Sequence, residues 1–331
     1  MEGQKGIVCV TGGTGFLASW QIKILLQDGF SVHTTVRRDP ENKRDLSFLT
    51  SLPRASENLK IFIADLSDPA SFEPAIEGCT GVFHVATPMD FANKEPEEVI
   101  TKRAVEGTLG ILRSCLKFKS TVKRVVYTSS AAAVAYNRHQ NDDVVMDESY
   151  WTDVEFVRST QSSDVKSYNI SKTLTEKAAF DFADQNGLDL VSLLPTFVVG
   201  PFVCPKVPAS LGLMMAMILG NEELYPFLMT SPMVHVDDVA RAQIFLLENP
   251  DVKGRYICSS HSLTIQEMAE FLSVRYPEYP VPKPDSLKEI KGPKLPSLSS
   301  KKLLEAGFNF KYGLEQMYDD AIASCKEKGY L

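Results

Sequence analysis

Ile7-Val8-Cys9-Val10-Thr11-Gly12-Gly13-Thr14-Gly15-Phe16-Leu17-Ala18 is the stretch that decides the fold. A short apolar run enters a glycine-rich turn. A helical pattern then carries Leu17, Ile22, Leu25 and Leu26 until Asp28-Gly29 stops it. Small residues at Gly12, Gly15 and Ala18 let the backbone turn tightly, approach a pyrophosphate and pack the new helix against its strand. The pyrophosphate charge then faces a helix N-terminus. A plain glycine-rich turn is the competing reading, and the strand-then-helix context favours the nucleotide. Gly12, Thr14, Gly15, Phe16 and Leu17 are therefore the first candidate cofactor contacts.

Outward from this turn, strand and helix signals alternate. Apolar or β-branched runs at 31–36, 59–66, 81–86, 122–130 and 189–199 are separated by helical patterns at about 97–119 and 168–185. The runs are continuous rather than alternating, as expected of a parallel sheet covered on both faces. The fold class is α/β, a doubly wound (Rossmann) parallel sheet with a smaller C-terminal substrate-binding part. The expected division is a cofactor-binding domain over 1–195 and a substrate-binding part over 196–331, interleaved with the first. Six prolines between Pro277 and Pro296 predict a surface loop, ordered to mobile. A last helix is expected from near Tyr312 to Gly329.

Composition narrows the function classes. The 331 residues carry 35 basic and 42 acidic side chains, a net charge of −7, which disfavours nucleic acid and anionic membranes as partners. No apolar run approaches the ~20 residues that span a bilayer, and the N-terminus shows no signal-peptide pattern. Six scattered cysteines without a C-x-x-C pair read as buried free thiols in a reducing compartment. The five histidines show no metal-ligand spacing, so no metal is expected. These features predict a cytoplasmic protein without integral membrane association; the oligomeric state is not encoded in them.

Two constellations carry chemistry. The second strand ends in Thr35-Val36-Arg37-Arg38, where a site specific for NAD usually offers an acid to the ribose diol. Arginine instead suits a 2′-phosphate, which guanidinium grips with paired hydrogen bonds. Arg37, with Lys43 and Arg44 nearby, predicts NADP(H), against the alternative of a solvated basic edge. Asp65 and Leu66 end the third strand, where adenine would lie, and Val85, Ala86 and Thr87 close the fourth. Further on, Tyr168-Asn169-Ile170-Ser171-Lys172 places a phenol and an ammonium on one helix face. Tyr127-Thr128-Ser129-Ser130 ends a parallel strand upstream. Tyr168 is read as general acid or base, with Lys172 favouring its ionised form and renewing its proton through the cofactor ribose. Ser130 is read as the donor to the substrate oxygen, and Ser129 as facing away. Without the glycine loop, Tyr168 and Lys172 would read as an ordinary solvated helix face.

Taken together, TGGTGFLASW (11–20), FHVATPMDF (83–91), VVYTSSAAAV (125–134), YNISKTLTEKAA (168–179), LPTFVVGPF (194–202) and VHVDDVARA (234–242) resemble the extended short-chain dehydrogenase/reductases, within them the plant dihydroflavonol reductase-like group. The resemblance implies an NADP(H)-dependent oxidoreductase with Ser130, Tyr168 and Lys172 as its triad. It also implies cofactor contacts at Pro195, Thr196, Phe197, Val198 and Ser210, and an aromatic pocket for a small phenolic substrate. Met89, Asp90, Phe91, Ala135, Tyr136, Phe202, Val203, Met214 and Tyr225 are its candidate walls. FVCPK (202–206) and CKEKGYL (325–331) look most like the isoflavanone ketone reductases of the group, whereas FLAS and SSAAAV look like its anthocyanidin reductases. Dihydroflavonol reductases hold an asparagine five residues after the catalytic serine, where this chain has Ala135. A methyl cannot bond catechol hydroxyls, which disfavours that substrate. The expected reaction is NADPH-dependent reduction of a ring ketone on a flavonoid- or isoflavonoid-like substrate. Oxidation of a cyclic alcohol or hemiacetal, reduction of a phenolic aldehyde, a redox-neutral epimerase or dehydratase, and a non-catalytic dinucleotide sensor are the alternatives. The VHVDD segment reads as structural, with an aspartate as helix cap.

Overall fold

The computed structural model describes residues 5–39, 41, 44–88, 95–138, 144–161 and 163–331. Its strands are β1 (Ile7–Val10), β2 (Ser31–Val36), β3 (Leu59–Ile63), β4 (Gly81–His84), β5 (Arg124–Thr128), β6 (Val145–Met146), β7 (Leu190–Pro195), β8 (Phe197–Val199), β9 (Thr230–His235), β10 (Gly254–Cys258), β11 (His261–Thr264) and β12 (Ser297–Leu298). The longer helices are α1 (Phe16–Gln27), α2 (Glu97–Lys117), α3 (Ser163–Asn186), α4 (Val236–Glu248), α5 (Ile265–Arg275) and α6 (Leu314–Glu327).

Seven strands form one sheet in the order β10-β7-β5-β4-β1-β2-β3, and every neighbouring pair is parallel. Val8 and Val10 of β1 face a core filled by α1 and α4, whereas Cys9 faces a second core filled by α2 and α3. With both faces covered, β5 and β7 are buried at every residue. β3 lies at the edge and alternates instead, leaving Ile63 exposed. All six cysteines are free and buried. No helix among the described residues is long and apolar enough to cross a membrane.

The run at 189–199 is two strands rather than one. β7 pairs with β10 up to Pro195, and Thr196 then gives both its N–H and its hydroxyl to the Cys258 carbonyl. β8 beyond it joins a separate sheet, β11-β9-β8. β10 and α4, though late in the chain, belong to the large sheet and its cover. A third apolar core, beyond the small sheet, gathers Phe202, Met214, Met217, Leu272 and Tyr318. The proline-rich segment 277–296 is pinned to this core through Leu287, which is buried. A side chain at Gly292 would collide with the Pro226 carbonyl, so the segment is packed down rather than loose. The last helix is shorter than expected, Leu314–Glu327.

The VHVDD segment joins these parts. His235 caps α4, accepting the Asp237 N–H at 3.1 Å, and its ring stacks on Tyr312 at 4.0 Å. Asp237 accepts the Trp20 indole N–H, and Asp238 accepts the N–H groups of Lys311 and Tyr312 at 2.9 and 3.2 Å. Asp238 is buried, so these bonds hold the chain entering α6. Asp238→Ala leaves both N–H groups unpaired and is expected to cost about 2–4 kcal/mol in urea unfolding. A loss under about 0.5 kcal/mol, the range of an ordinary surface change, would remove Asp238 from this role.

Candidate active site

β1 lies between β2 and β4, so the chain leaves it in opposite directions and a crevice opens at the C-terminal strand ends. Gly12 sits there at φ +76°, where L side chains are strained. Its N–H donates to the Thr35 hydroxyl at 3.1 Å, and the Gly13 N–H donates to the Thr35 carbonyl at 2.8 Å. A Cβ on Gly12 would press on Ala86 at 3.1 Å, and one on Gly13 would collide with Thr34. The fold itself demands these two glycines. Gly15 differs: an added Cβ would meet only the Gly12 carbonyl, at 3.3 Å. The absent side chain therefore leaves ground open beside the first turn of α1. That turn has no side-chain cap and no acidic residue, so its N–H groups suit a bound anion. Thr14, Phe16 and Leu17 are half-buried around it, and Ala18 is packed into the core.

Arg37 and Arg38 follow β2 as exposed side chains, and Arg44 donates to the Arg37 carbonyl at 2.7 Å. Lys43 lies outside the described residues. Asp65 is turned onto Ser67, whose N–H and hydroxyl both donate to its Oδ1. These bonds hold its carboxyl below the usual range. Leu66 packs against the α2–α3 core. Val85 and Ala86 both donate their N–H to the Thr11 hydroxyl at 3.0 Å. Ser210 gives its hydroxyl to the Val198 carbonyl at 3.1 Å, across from Thr196 and Phe197.

The three residues expected to form the triad come from two elements at this edge. Ser130 lies just past the end of β5 and accepts the Ala132 N–H at 3.2 Å, and its side chain opposes the rise that burial imposes on the Tyr168 phenol. Ser129 points away from the site and donates to the buried Glu176 at 2.8 Å. Tyr168 and Lys172 share a face of α3, which begins five residues earlier than expected. Lys172 is buried, and its Nζ donates to the Thr87 hydroxyl at 2.9 Å and the Thr128 carbonyl at 3.0 Å. Strand ends β4 and β5 are thus joined to the reacting helix by one ammonium.

A family model described as "NAD dependent epimerase/dehydratase family" matches residues 8–258, a span holding the glycine turn and all three triad residues. The chain belongs to that family. Within it, the chain is an oxidoreductase of the dihydroflavonol reductase-like group. It is 57% identical to vestitone reductase of Medicago sativa over 99% of both chains. The crystal structure of that enzyme covers 99% of this chain and is itself wholly covered, with a TM-score of 0.90 and 54% identity. A dihydroflavonol 4-reductase of Arabidopsis thaliana is 47% identical over 100% of this chain and 85% of its own. Yeast methylglyoxal/isovaleraldehyde reductase Gre2, solved with NADPH, is 26% identical with a TM-score of 0.81, covering 98% of this chain and 100% of that one.

Electrostatics in this family member differ from the sequence expectation in one respect. Burial pushes the Tyr168 phenol up, and the group opposing that rise is Ser130, not Lys172. The ammonium is drawn to Thr87 and Thr128 instead. Burial also pulls Lys172 down to about 8, with Glu176 opposing the fall. At neutral pH the free site therefore holds a protonated phenol beside a largely charged ammonium.

Among the candidate walls, Met89, Asp90 and Phe91 lie outside the described residues. Met214 is fully buried and its carbonyl accepts the Tyr318 hydroxyl, so it is interior packing rather than a wall. Phe202 and Tyr225 are also buried in that core, whereas Val203 is half-buried. Ala135 is buried, and the half-buried Tyr136 beside it gives its N–H to the Thr152 hydroxyl at 3.1 Å.

Sequence reasoning missed Gly13, Thr11, His84 and Glu176. The only local signal for Glu176 is its spacing, one further turn along the Tyr168–Lys172 face. His84 bridges Thr11 Oγ1 and Thr108 Oγ1, each at 3.0 Å, in full burial. Burial, with the Lys172 charge adding to it, pulls His84 down to about 3. A histidine neutral when folded but titrating near 6.5 when unfolded stabilises the fold above that pH. The contribution is lost as pH falls from 6.5 toward 3, at about 1.4 kcal/mol per unit. In His84→Gln this share of the acid slope should vanish in urea unfolding at pH 7, 6 and 5. An unchanged slope would place the acid sensitivity elsewhere.

Proposed function

We propose that this protein reduces a ring ketone of a flavonoid- or isoflavonoid-like phenolic substrate with NADPH, in the manner of vestitone reductase, and does so in the cytosol. The observation that carries the reading is the buried Lys172, on the helix face of Tyr168, anchored on Thr87 and on Thr128 at the strand end that leads to Ser130. Supporting it are the 57% identity to vestitone reductase and the likeness to a reductase solved with NADPH. The open ground at Gly15, the uncapped first turn of α1 and the exposed Arg37 and Arg38 suit a dinucleotide with a 2′-phosphate. The nicotinamide, when bound, supplies the hydride.

The protein's own groups handle the oxygen and the proton. Ser130 donates to the carbonyl oxygen and stabilises the charge that develops there. Tyr168, protonated in the free site, gives its proton to that oxygen as it becomes an alcohol. Lys172, one helical turn along the same face, keeps a positive charge at this edge of the site, held on the Thr87 hydroxyl and the Thr128 carbonyl. Tyr136 and the methyl of Ala135, just past the turn that Ser130 begins, border the same region. With no side-chain amide at Ala135, binding does not depend on a catechol, and isoflavanone or flavanone ketones are favoured over dihydroflavonols.

Loss of NADPH absorbance with a panel of isoflavanones, flavanones, dihydroflavonols and phenolic aldehydes, and gain from NADP⁺ with cyclic alcohols, tests the substrate class. Turnover is expected with the isoflavanone or flavanone ketones; inactivity on these with activity on another class would overturn the reading. Tyr168→Phe should lower kcat by about 10²–10⁴-fold while NADPH affinity changes less than about twofold. A variant keeping most of its activity would remove Tyr168 as the acid. Arg37→Ala should weaken NADPH by about tenfold, the loss of one charge-assisted contact, and leave NADH nearly unchanged. Equal weakening of both would move the phosphate site elsewhere.

A further inference from the structure

Glu176 is fully buried on α3, two turns beyond Tyr168 and one beyond Lys172. Its Oε2 accepts the Ser129 hydroxyl at 2.8 Å and Arg255 Nη2 at 3.2 Å. Its Oε1 accepts the Ser192 hydroxyl at 2.5 Å and Arg255 Nε at 3.1 Å. Four donors, from the residue just past β5 and from β7 and β10, therefore converge on one carboxylate. Arg255 is held in turn by the carbonyls of Glu148 and Tyr150 at 2.9 and 2.6 Å, and its guanidinium lies 3.6 Å over Trp151. Arg255 also donates to the Ala133 carbonyl, in the turn that begins at Ser130. Such a pair is costly to desolvate and adds little net stability over a well-packed apolar group, so its value lies in what it orients.

We propose that Glu176 is a positioning residue for the reaction. Its carboxylate fixes the helix face bearing Tyr168 and Lys172 against the strand ends bearing Ser130, and it is the anion facing the Lys172 ammonium. The inference rests on the triad reading above and adds to it a residue that never touches substrate.

The surroundings of Lys172 leave this role to Glu176. From β4 it faces neutral His84 and the Thr87 hydroxyl beyond the strand end. From β5 it faces the Thr128 carbonyl and the Tyr127 ring, 5.7 Å away, whose phenol burial keeps protonated. On its own helix Tyr168 is protonated as well. None of these carries a negative charge. Glu176 alone among them opposes the desolvation of the ammonium. With Glu176 neutral, Lys172 would release its proton at lower pH, because an opposite charge nearby favours the charged form.

The test is a titration of Lys172 in the free protein, followed by NMR of ¹³Cε-labelled lysine, with the resonance identified by its loss in Lys172→Arg. The wild-type midpoint is expected near 8. In Glu176→Gln it should fall by about one unit, and the alkaline limb of kcat should move down with it while KM for NADPH stays within about twofold. A merely structural role would lower thermal stability and kcat together but leave the midpoint in place, and that result overturns the proposal. If Glu176→Gln alone does not fold, because Arg255 is left as an unpaired buried cation, Glu176→Gln with Arg255→Met removes both charges. The same fall in midpoint is expected there, and an unchanged midpoint is again fatal. Failure of the substrate panel would leave this titration untouched, so the two readings fail separately.

Discussion

One hydroxyl, that of Thr11, holds the crevice in shape. The reversal of strand order around β1 separates β2 from β4 and opens a gap that backbone pairing cannot close. Thr11 closes its base by accepting the N–H groups of both Val85 and Ala86. Having accepted two, it has only its proton left to give, and His84 Nδ1 receives it. That fixes the histidine as the Nε2–H tautomer, which donates to Thr108 on α2. The next residue in the held segment, Thr87, takes the Lys172 ammonium. A continuous line of hydrogen bonds thus runs from the end of the glycine strand to the reacting helix, and each member has its donors and acceptors assigned by its neighbours.

Burial gives this frame its chemistry. Removing water raises the phenol of Tyr168 and lowers the ammonium of Lys172, since each moves toward its neutral form. The two shifts have different consequences at neutral pH. The phenol, already an acid of about 10 in water, becomes more firmly protonated. The ammonium stays largely charged because it retains two oxygen acceptors and a facing carboxylate. On the proposed reaction, the free site is therefore set for giving a proton to a new alkoxide. Taking one from an alcohol requires further positive charge near the phenol, which a bound oxidised nicotinamide would bring.

Local features of the sequence were legible, and distant pairings were not. The glycine turn shows in the sequence because strand, turn and helix are contiguous, and the Tyr168–Lys172 pair because four residues make one helical turn. The two-sheet path through 190–199 was hidden by a mostly apolar run; its local mark is Pro195, which cannot donate to a ladder. Spacing placed Lys172 on the face of Tyr168 but could not say where a four-carbon stem would carry its charge. Only the strand ends holding Thr87 and Thr128, distant in sequence, decide that. Glu176 and Arg255, 79 residues apart, were equally invisible, since a buried pair has no signature before the fold joins its halves. Met214 misled for the converse reason: an adaptable apolar side chain reads alike in a pocket and in a core.

The division between rigid and irregular parts explains why kinship fixes the reaction more firmly than the substrate. Ser130 leaves the end of a buried strand, Tyr168 and Lys172 sit within a long helix, and the carboxylate behind them is held by four donors. A change at any of these disturbs several strands at once. The residues proposed to border the substrate come from elsewhere: Ala135 and Tyr136 follow a short turn, and Val203 lies in the segment after Gly200, itself at φ +130°. Segments of this kind tolerate replacement because few backbone ladders depend on them. On that proposal, a single methyl at Ala135, or the phenol of Tyr136 beside it, changes which hydroxyls a substrate can present without moving the triad. Selection can therefore redirect the substrate through the loops while the proton-handling machinery stays as the sheet holds it.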